Sequence, residues 1–397
     1  MSEATGSGVL RLLSGQRIVD ALFDSHPRRM SRAGIARATG LSKPTVSALV
    51  ADMESAGLVR IAHDSPKSGS IGRPAALYEL VPMVRHSVVA DIGATKMLVG
   101  VTDLAGNLVI EREIESGPDA QTALQRLVGA STEMLRGVDG PCSGVSIGVP
   151  GIYRRDCDRV EQALNLPGFD GLALHAFLAE HMVGRIHIEN DVNLAALGEL
   201  TRMSAEQPEG DFAAVSVGTG IGMGMVVGGD LYRGGTGSAG ELGSLLLSLP
   251  ASGEVPVTLE DVASAPSIRK LFGRAIEDGH HSGLDPGADV PEIFEVVSAG
   301  DAAARSVLNE VAGAMALAVS HLCLIADPKR VVFGGGVGSN PVFVDAVRQR
   351  LYQLLDSPPE LAASTLGRRA ALVGAASMSL RSMRESLVAE ILGEQQR

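Results

Sequence analysis

Asp191 stands between Asn190 and Asn193, where the apolar, strand-like run 186–188 gives way to an Ala/Leu-rich helical pattern over 192–203. A carboxylate flanked by amides can hold a hydroxyl in place, or accept its proton as that hydroxyl attacks an electrophile. It can also cap the first turn of the following helix, and cap and ligand are compatible roles. Two further stretches suit phosphate. Residues 87–103 and 213–229 each read strand, small-residue turn, strand, with Asp91-Ile-Gly-Ala-Thr-Lys96 at the first bend and Gly218-Thr-Gly-Ile-Gly222 at the second. Unhindered backbone N–H groups and a Thr hydroxyl at such bends match phosphate oxygens. One Gly-rich turn is weak evidence, but a pair suits a nucleotide caught between two lobes. A third glycine run, Gly334-Gly335-Gly336, follows an apolar helix and strand and lets the chain approach a flat ligand such as adenine.

The elements that position these residues alternate between the two periodicities. Strand patterns at 108–114 and 143–149 flank a helical one at 122–135, and 302–326 is a long, mostly apolar helix that reads as core or subunit contact. The fold class is therefore α/β. At 397 residues the chain exceeds one ordinary core, so two or three domains are expected. The longest uncharged runs, 212–229 and 311–326, are near or below bilayer-spanning length; the first is broken by glycines and the second contains His321, so no membrane partner is expected. Cys142, Cys157 and Cys323 are too few and too scattered for a disulfide framework or a Cys-rich metal knuckle. With no apolar signal-type segment at the N-terminus, a cytoplasmic location is expected. His280-His281 beside Asp278 reads as a polar loop rather than a metal clip, and the tail after Leu380, with Arg381, Arg384 and Glu385 at helical spacing, as a solvated helix face.

The net charge of −12 argues against a surface that coats nucleic acid throughout. The charge is unevenly spread, however: residues 1–75 carry +4 and the remainder −16. Within the basic segment, 30–50 reads as two short helices joined at Gly40-Leu41, with Ile35, Ala36, Val46, Leu49 and Val50 on their apolar faces. This is a helix-turn-helix pattern. Ser42 is placed to cap the second helix and Pro44 sits in its first turn, which leaves Lys43, Thr45 and Ser47 near the end that meets a major groove. An apolar helix over 17–23 completes a three-helix core. Strand patterns at 58–62 and 76–80 around a polar loop suggest a wing, and Arg73, between Gly72 and Pro74, suits a narrow minor groove. One such unit covers a half-site, so double-stranded DNA and a second copy of the chain are the expected partners.

The chain resembles the ROK family (repressors, open reading frames and sugar kinases). The resemblance rests on Asp91–Lys96, Ile147-Gly-Val-Pro-Gly151, Asn165-Leu-Pro-Gly168, Glu189-Asn-Asp191, Gly218–Gly222, Gly240-Glu-Leu-Gly243 and Gly334–Gly336, in the family's order. It implies an N-terminal winged helix-turn-helix followed by a two-lobed actin-like, hexokinase-like (ribonuclease H-like) ATPase fold. The expected domains are 1–84 and 85–397, the latter with lobes 85–190 plus a C-terminal segment, and 191–370. By resemblance Asn165, Asn190, Asp191, Glu241 and Glu260 bind sugar, with Asp191 the base in a working kinase. Asp91, Gly93, Thr95, Lys96, Gly218, Thr219, Gly220 and Gly334 to Gly336 bind nucleotide, with Asp91 near magnesium.

The chain departs from the family's kinases in two places. Ser244 stands where they have a zinc-binding His, and 245–260 contains no Cys or His to replace the zinc loop. A serine hydroxyl is not a competent ligand in such a site, so structural zinc is expected to be absent. Ala94 replaces a second glycine in the first phosphate hairpin. The sugar-gripping residues remain while those fixing catalytic geometry are thinned, and catalysis suffers more than binding from a loosened site. The expected function is a sugar-responsive, DNA-binding transcriptional regulator, a repressor acting as a homodimer or higher assembly on an operator, with a sugar or sugar phosphate as effector. It needs no cofactor for DNA binding, while ATP and magnesium fit the hairpins. The competing reading is an active ATP-dependent sugar kinase that carries a DNA-binding domain.

Overall fold

The computed structural model describes residues 6–62, 76–163, 166–206, 210–248 and 255–393. Contacts divide the chain into two compact units: Met1–Ile147 with Leu174–Ile188 and Ala376–Arg397, and Gly148–Ala173 with Glu189–Ala375.

The first unit begins with α1 (Gly6–Ser25), β1 (Met30–Ser31), α2 (Arg32–Thr39), α3 (Lys43–Ser55), β2 (Val59–Ile61) and β3 (Leu77–Leu80). Helices α2 and α3 are bounded by local causes. The Ser31 hydroxyl accepts from the Gly34 N–H at 3.1 Å to start α2, and Gly40, at φ 71°, ends it in the left-handed region where a side chain is strained. The Ser42 hydroxyl accepts from the Thr45 N–H at 3.3 Å and Pro44 occupies the first turn of α3, as the sequence predicts. Strands β2 and β3 pair antiparallel, setting Arg60 opposite Glu79, and β1 adds a third strand on the far side of β3 that the sequence pattern does not announce. Ile18, Leu22, Ile35, Val46, Leu49 and Tyr78 form the buried core of this winged helix.

The unit continues through β4 (His86–Ile92), β5 (Lys96–Asp103), β6 (Leu108–Glu115), α4 (Ala120–Leu135) and β7 (Cys142–Val149). A short hairpin, β8 (Ile152–Arg154) with β9 (Arg159–Glu161), lies in the second unit before the chain returns as α5 (Leu174–His181) and β10 (Arg185–Asn190). The resulting five-stranded sheet has the order β10-β7-β4-β5-β6.

The second unit holds α6 (Asp191–Glu206), β11 (Phe212–Val217), β12 (Ile221–Val227), β13 (Asp230–Tyr232), α7 (Glu260–Ala263), α8 (Ala265–Glu277), α9 (Val290–Glu295), α10 (Ala302–Ala326), β14 (Arg330–Gly334), α11 (Gly335–Gly338), α12 (Pro341–Leu354) and β15 (Glu360–Ala363). Its sheet runs β13-β12-β11-β14-β15, with β14 parallel to both β11 and β15. Helix α10 is long and apolar enough to cross a bilayer, yet Val307, Val311, Met315 and Val319 are buried in the core with Phe272, Phe333 and Phe343. That packing is the reason for its composition.

The last helix, α13 (Ala370–Gly393), starts in the second unit and ends in the first. Arg381 and Glu385 are exposed, as expected of a solvated face. The opposite face corrects that reading: Met383, Leu387, Val388 and Ile391 are buried within the winged-helix core, and the Arg384 guanidinium stacks 4.3 Å from the centre of the Phe23 ring.

Candidate functional site

The start of α6 is built by two neighbouring side chains with different duties. The Asn190 amide oxygen accepts from the Val192 and Asn193 N–H groups at 2.9 and 3.0 Å, while its Nδ2 donates to the Gly151 carbonyl at 3.0 Å. Asn190, not Asp191, is thus the cap that bridges to N3 of the helix. An amide serves both sides, because it accepts from the helix and donates to a carbonyl that a carboxylate would only repel. Asp191 accepts locally from the Val192 N–H at 2.9 Å. Burial raises its carboxyl to a pKa of about 6, against those backbone N–H groups, with the Glu241 charge adding to the rise.

Glu189 holds this corner together. One of its oxygens accepts from the Asn190 N–H at 3.1 Å and from Asn193 Nδ2 at 2.9 Å, and the other takes Arg233 Nε at 2.6 Å. The Asn193 side-chain Oδ1 is buried and has no hydrogen-bond partner among the described residues. Helix α6 can lie against β12 because Gly222 and Gly224 leave room: a Cβ added at Gly224 would meet Ala196 at 2.7 Å and the Val192 carbonyl at 2.8 Å.

On the other side of β12, Gly240 accepts from the Met223 N–H at 2.9 Å and has φ 99°. An added Cβ would fall 1.8 Å from the Met223 oxygen, so only glycine carries the chain into Glu241 at this height. Burial, then repulsion from Glu260, raises the Glu241 carboxyl. Glu260 in turn accepts from the Ile221 N–H at 2.8 Å. Asn190, Asp191, Glu241 and Glu260 are therefore brought into one neighbourhood of the second unit, and the last of them reaches the bend between β11 and β12. Asn165 lies outside the described residues.

That bend is the second expected phosphate hairpin. The Gly218 N–H donates to the Gly220 carbonyl at 3.0 Å, the Gly218 carbonyl accepts from the Ala265 N–H at 2.7 Å, and Thr219 is exposed. Ser216 is in register with Gly334, and a Cβ on Gly335 would lie 2.4 Å from the Val217 oxygen, so the Gly334–Gly336 run borders the same bend. The first hairpin belongs to the other unit. There Gly93 turns so tightly that an added Cβ would lie 2.6 Å from the Lys96 oxygen; Thr95 is exposed, and Asp91 is half-buried at the end of β4. Lys96 Nζ pairs with Glu113 across the strands at 2.6 Å.

In the winged helix Lys43 is exposed and Thr45 and Ser47 are half-buried in the first turns of α3. Arg73 lies outside the described residues. Arg29 and Arg60 both bind Glu79, at 2.9 and 2.8 Å, and draw its carboxyl down, so these cations stitch the wing. Arg32 lies over the Tyr78 ring at 5.1 Å.

Comparison with known proteins accounts for both parts. The ROK family profile matches residues 88–382 and the MarR family profile matches 17–69. The chain belongs to the ROK family and carries a MarR-like winged helix at its N-terminus. It is 31% identical over 299 residues to the bifunctional enzyme NanE/NanK of Brucella suis, covering 73% of this chain but 52% of that protein, so it spans about half the length of that relative. The xylose repressor of Caldicellulosiruptor bescii is 26% identical over 361 residues, covering 87% of this chain and 88% of the repressor. Among solved structures, a ROK family transcriptional regulator homologous to the E. coli Mlc protein superposes with a TM-score of 0.78 over 97% of this chain and 99% of its own, at 19% identity. A Streptomyces griseus ROK glucokinase in complex with glucose and AMPPNP gives a TM-score of 0.62 at 26% identity, over 74% of this chain and 98% of its own.

Proposed function

We propose that this chain is a sugar-responsive transcriptional repressor in which the ROK domain senses the effector rather than phosphorylating it. Two copies set their α3 helices on a palindromic operator, with Lys43, Thr45 and Ser47 reaching the major groove and Arg73 the minor groove. Asp191, Glu241 and Glu260 accept from hydroxyls of a sugar ring. Asn190 contributes the amide N–H that it does not give to Gly151. The effector is drawn from the sugars suggested by the relatives' names, such as xylose and glucose, and the chain acts in the cytoplasm. ATP and magnesium are not required for DNA binding.

The single observation carrying this reading is the tie from Glu260 to the Ile221 N–H. A carboxylate beside this bend supports the reading, because a negative charge there would disfavour a phosphoryl donor bound at the bend more than a neutral sugar. Ser244 in place of the zinc-binding His points the same way.

The kinase reading draws support from the raised Asp191 carboxyl, at about 6 through burial, which makes it a better proton acceptor than an ordinary carboxylate. A coupled ADP-release assay over glucose, xylose and N-acetylmannosamine decides between the two. The repressor reading predicts no turnover above background together with retention of upstream DNA in a low-salt gel shift. Turnover that disappears in Asp191→Asn would replace it with the kinase reading.

A further inference from the structure

The chain passes between its two units at four points, and three of these lie inside continuous elements, among them Ile188–Glu189 in β10 and Ala375–Ala376 in α13. A third crossing, Ile147–Gly148, is in β7. On the first-unit side, α13 is hydrogen-bonded to both strands next to their crossings. Ser382 Oγ and His187 Nε2 share a hydrogen bond of 2.8 Å, one residue before β10 leaves the unit, and Ser379 Oγ donates to Ser146 Oγ at 2.8 Å, again one residue before the crossing. Ser146, Ser379 and Ser382 are all buried. Ser87, Ser143, Arg185 and Ser386 line a small cavity beside this seam. A row of buried hydroxyls with a half-buried imidazole at its edge is unusual placement for a helix that needs only to pack.

The two ends of α13 give the seam its meaning. In the second unit the helix lies backbone to backbone on α6, whose first residue is Asp191: a Cβ on Gly374 would fall 1.8 Å from the Leu194 oxygen, and one on Gly198 2.2 Å from the Ala370 oxygen. From the residue after Ser382 onward, the same helix buries Met383, Leu387, Val388 and Ile391 among the winged-helix side chains Ile18, Leu22 and Phe23. Strand β10 includes His187 and ends at Asn190, the residue before Asp191. Apolar contacts let a helix slide by small steps, whereas a buried hydroxyl must keep its partner or lose it outright, a property suited to an element that switches between two arrangements.

We propose that the pair His187–Ser382, backed by Ser146–Ser379, is a clasp through which the state of the Asp191 strand reaches the winged helix by way of α13. This rests on the sugar-sensing reading of the Asp191 site. His187 and Ser382 are positioning residues, remote from any hydroxyl held at Asp191. They set whether strand and helix move as one body.

The test uses the full chain, a fluorescent DNA fragment selected from its own upstream region, and glucose, xylose and N-acetylmannosamine as probes. In the wild type the responsive sugar changes DNA affinity about tenfold, within the usual range of coupling between sites. In Ser382→Ala the same sugar still raises Tm, yet the change in DNA affinity falls below about twofold. Ser382→Thr, which keeps the hydroxyl, restores it. A Ser382→Ala protein that responds like the wild type overturns the clasp. A second measurement needs no sugar: Asp191→Asn alters hydrogen exchange of the 383–391 amides, and adding Ser382→Ala removes that alteration. If the exchange result holds while no sugar affects DNA binding, the clasp stands and the sugar reading falls; if the alteration persists without the Ser382 hydroxyl, the clasp falls.

Discussion

Helices α3 and α6 begin alike and are used in opposite ways. Each has a side-chain oxygen closing its first turn, Ser42 on the Thr45 N–H and Asn190 on the Asn193 N–H. Each presents the positive end of a helix dipole just beyond. Around α3 that end is exposed at Ser42, Lys43 and Pro44, and Lys43 adds a positive charge to it. Around α6 the chain supplies its own anion, Asp191, and crowds two further carboxylates, Glu241 and Glu260, into the neighbourhood. On the proposed function, one helix start docks phosphate, while the other already carries its charge and takes hydroxyl donors.

The largest effect that sharpens this contrast is loss of the sugar response in the crowded site. Asp191→Ala is expected to abolish the rise in Tm produced by the effector sugar while leaving DNA affinity within about twofold, since a ligand stabilises only the state it binds. Retention of the full shift would remove Asp191 from the site. At the open end, Lys43→Ala should weaken DNA binding by about tenfold and lower the salt slope by about one, the signature of a lost phosphate contact. An unchanged salt slope would place α3 off the DNA.

A third expectation concerns pH. The carboxyl of Asp191 has a pKa of about 6 in the folded chain against 3.8 when unperturbed. Its ionised form therefore opposes folding; the penalty is fully present above about pH 6 and is relieved as pH falls toward 4. Asp191→Asn should stabilise the fold at neutral pH by on the order of 1–3 kcal/mol, an advantage that disappears near pH 4 in paired denaturation curves. The smallest effects are those of the caps. Ser42→Ala and Asn190→Ala should each cost about 1 kcal/mol, with the Asn190 change the larger because it also strands the Gly151 carbonyl.

Much of this was legible before any coordinates. Ser42, Pro44, the wing strands and the helix after Asp191 follow local rules of capping and periodicity that act over a few residues. The exchange of roles between Asn190 and Asp191 was not legible, because both residue types cap helices well and the choice was made by Gly151, a partner 39 residues away. The end of α13 was misread for a similar reason. Arg381 and Glu385 mark a wet face correctly, but the spacing of Met383, Leu387 and Ile391 shows only that a second face is apolar, not that the winged helix covers it. Neither Glu260 on the Ile221 N–H nor Glu189 on Arg233 has any sequence signal beyond residue type, since each joins segments separated by a folded strand pair.

The most direct test of the account is the anisotropy of labelled upstream DNA titrated with the purified full-length chain, with and without glucose, xylose or N-acetylmannosamine. The account predicts that at least one sugar shifts the DNA Kd by about fivefold or more, with DNA bound by two copies of the chain. A Kd that stays constant across all three sugars, on DNA bound by a single copy, would contradict it.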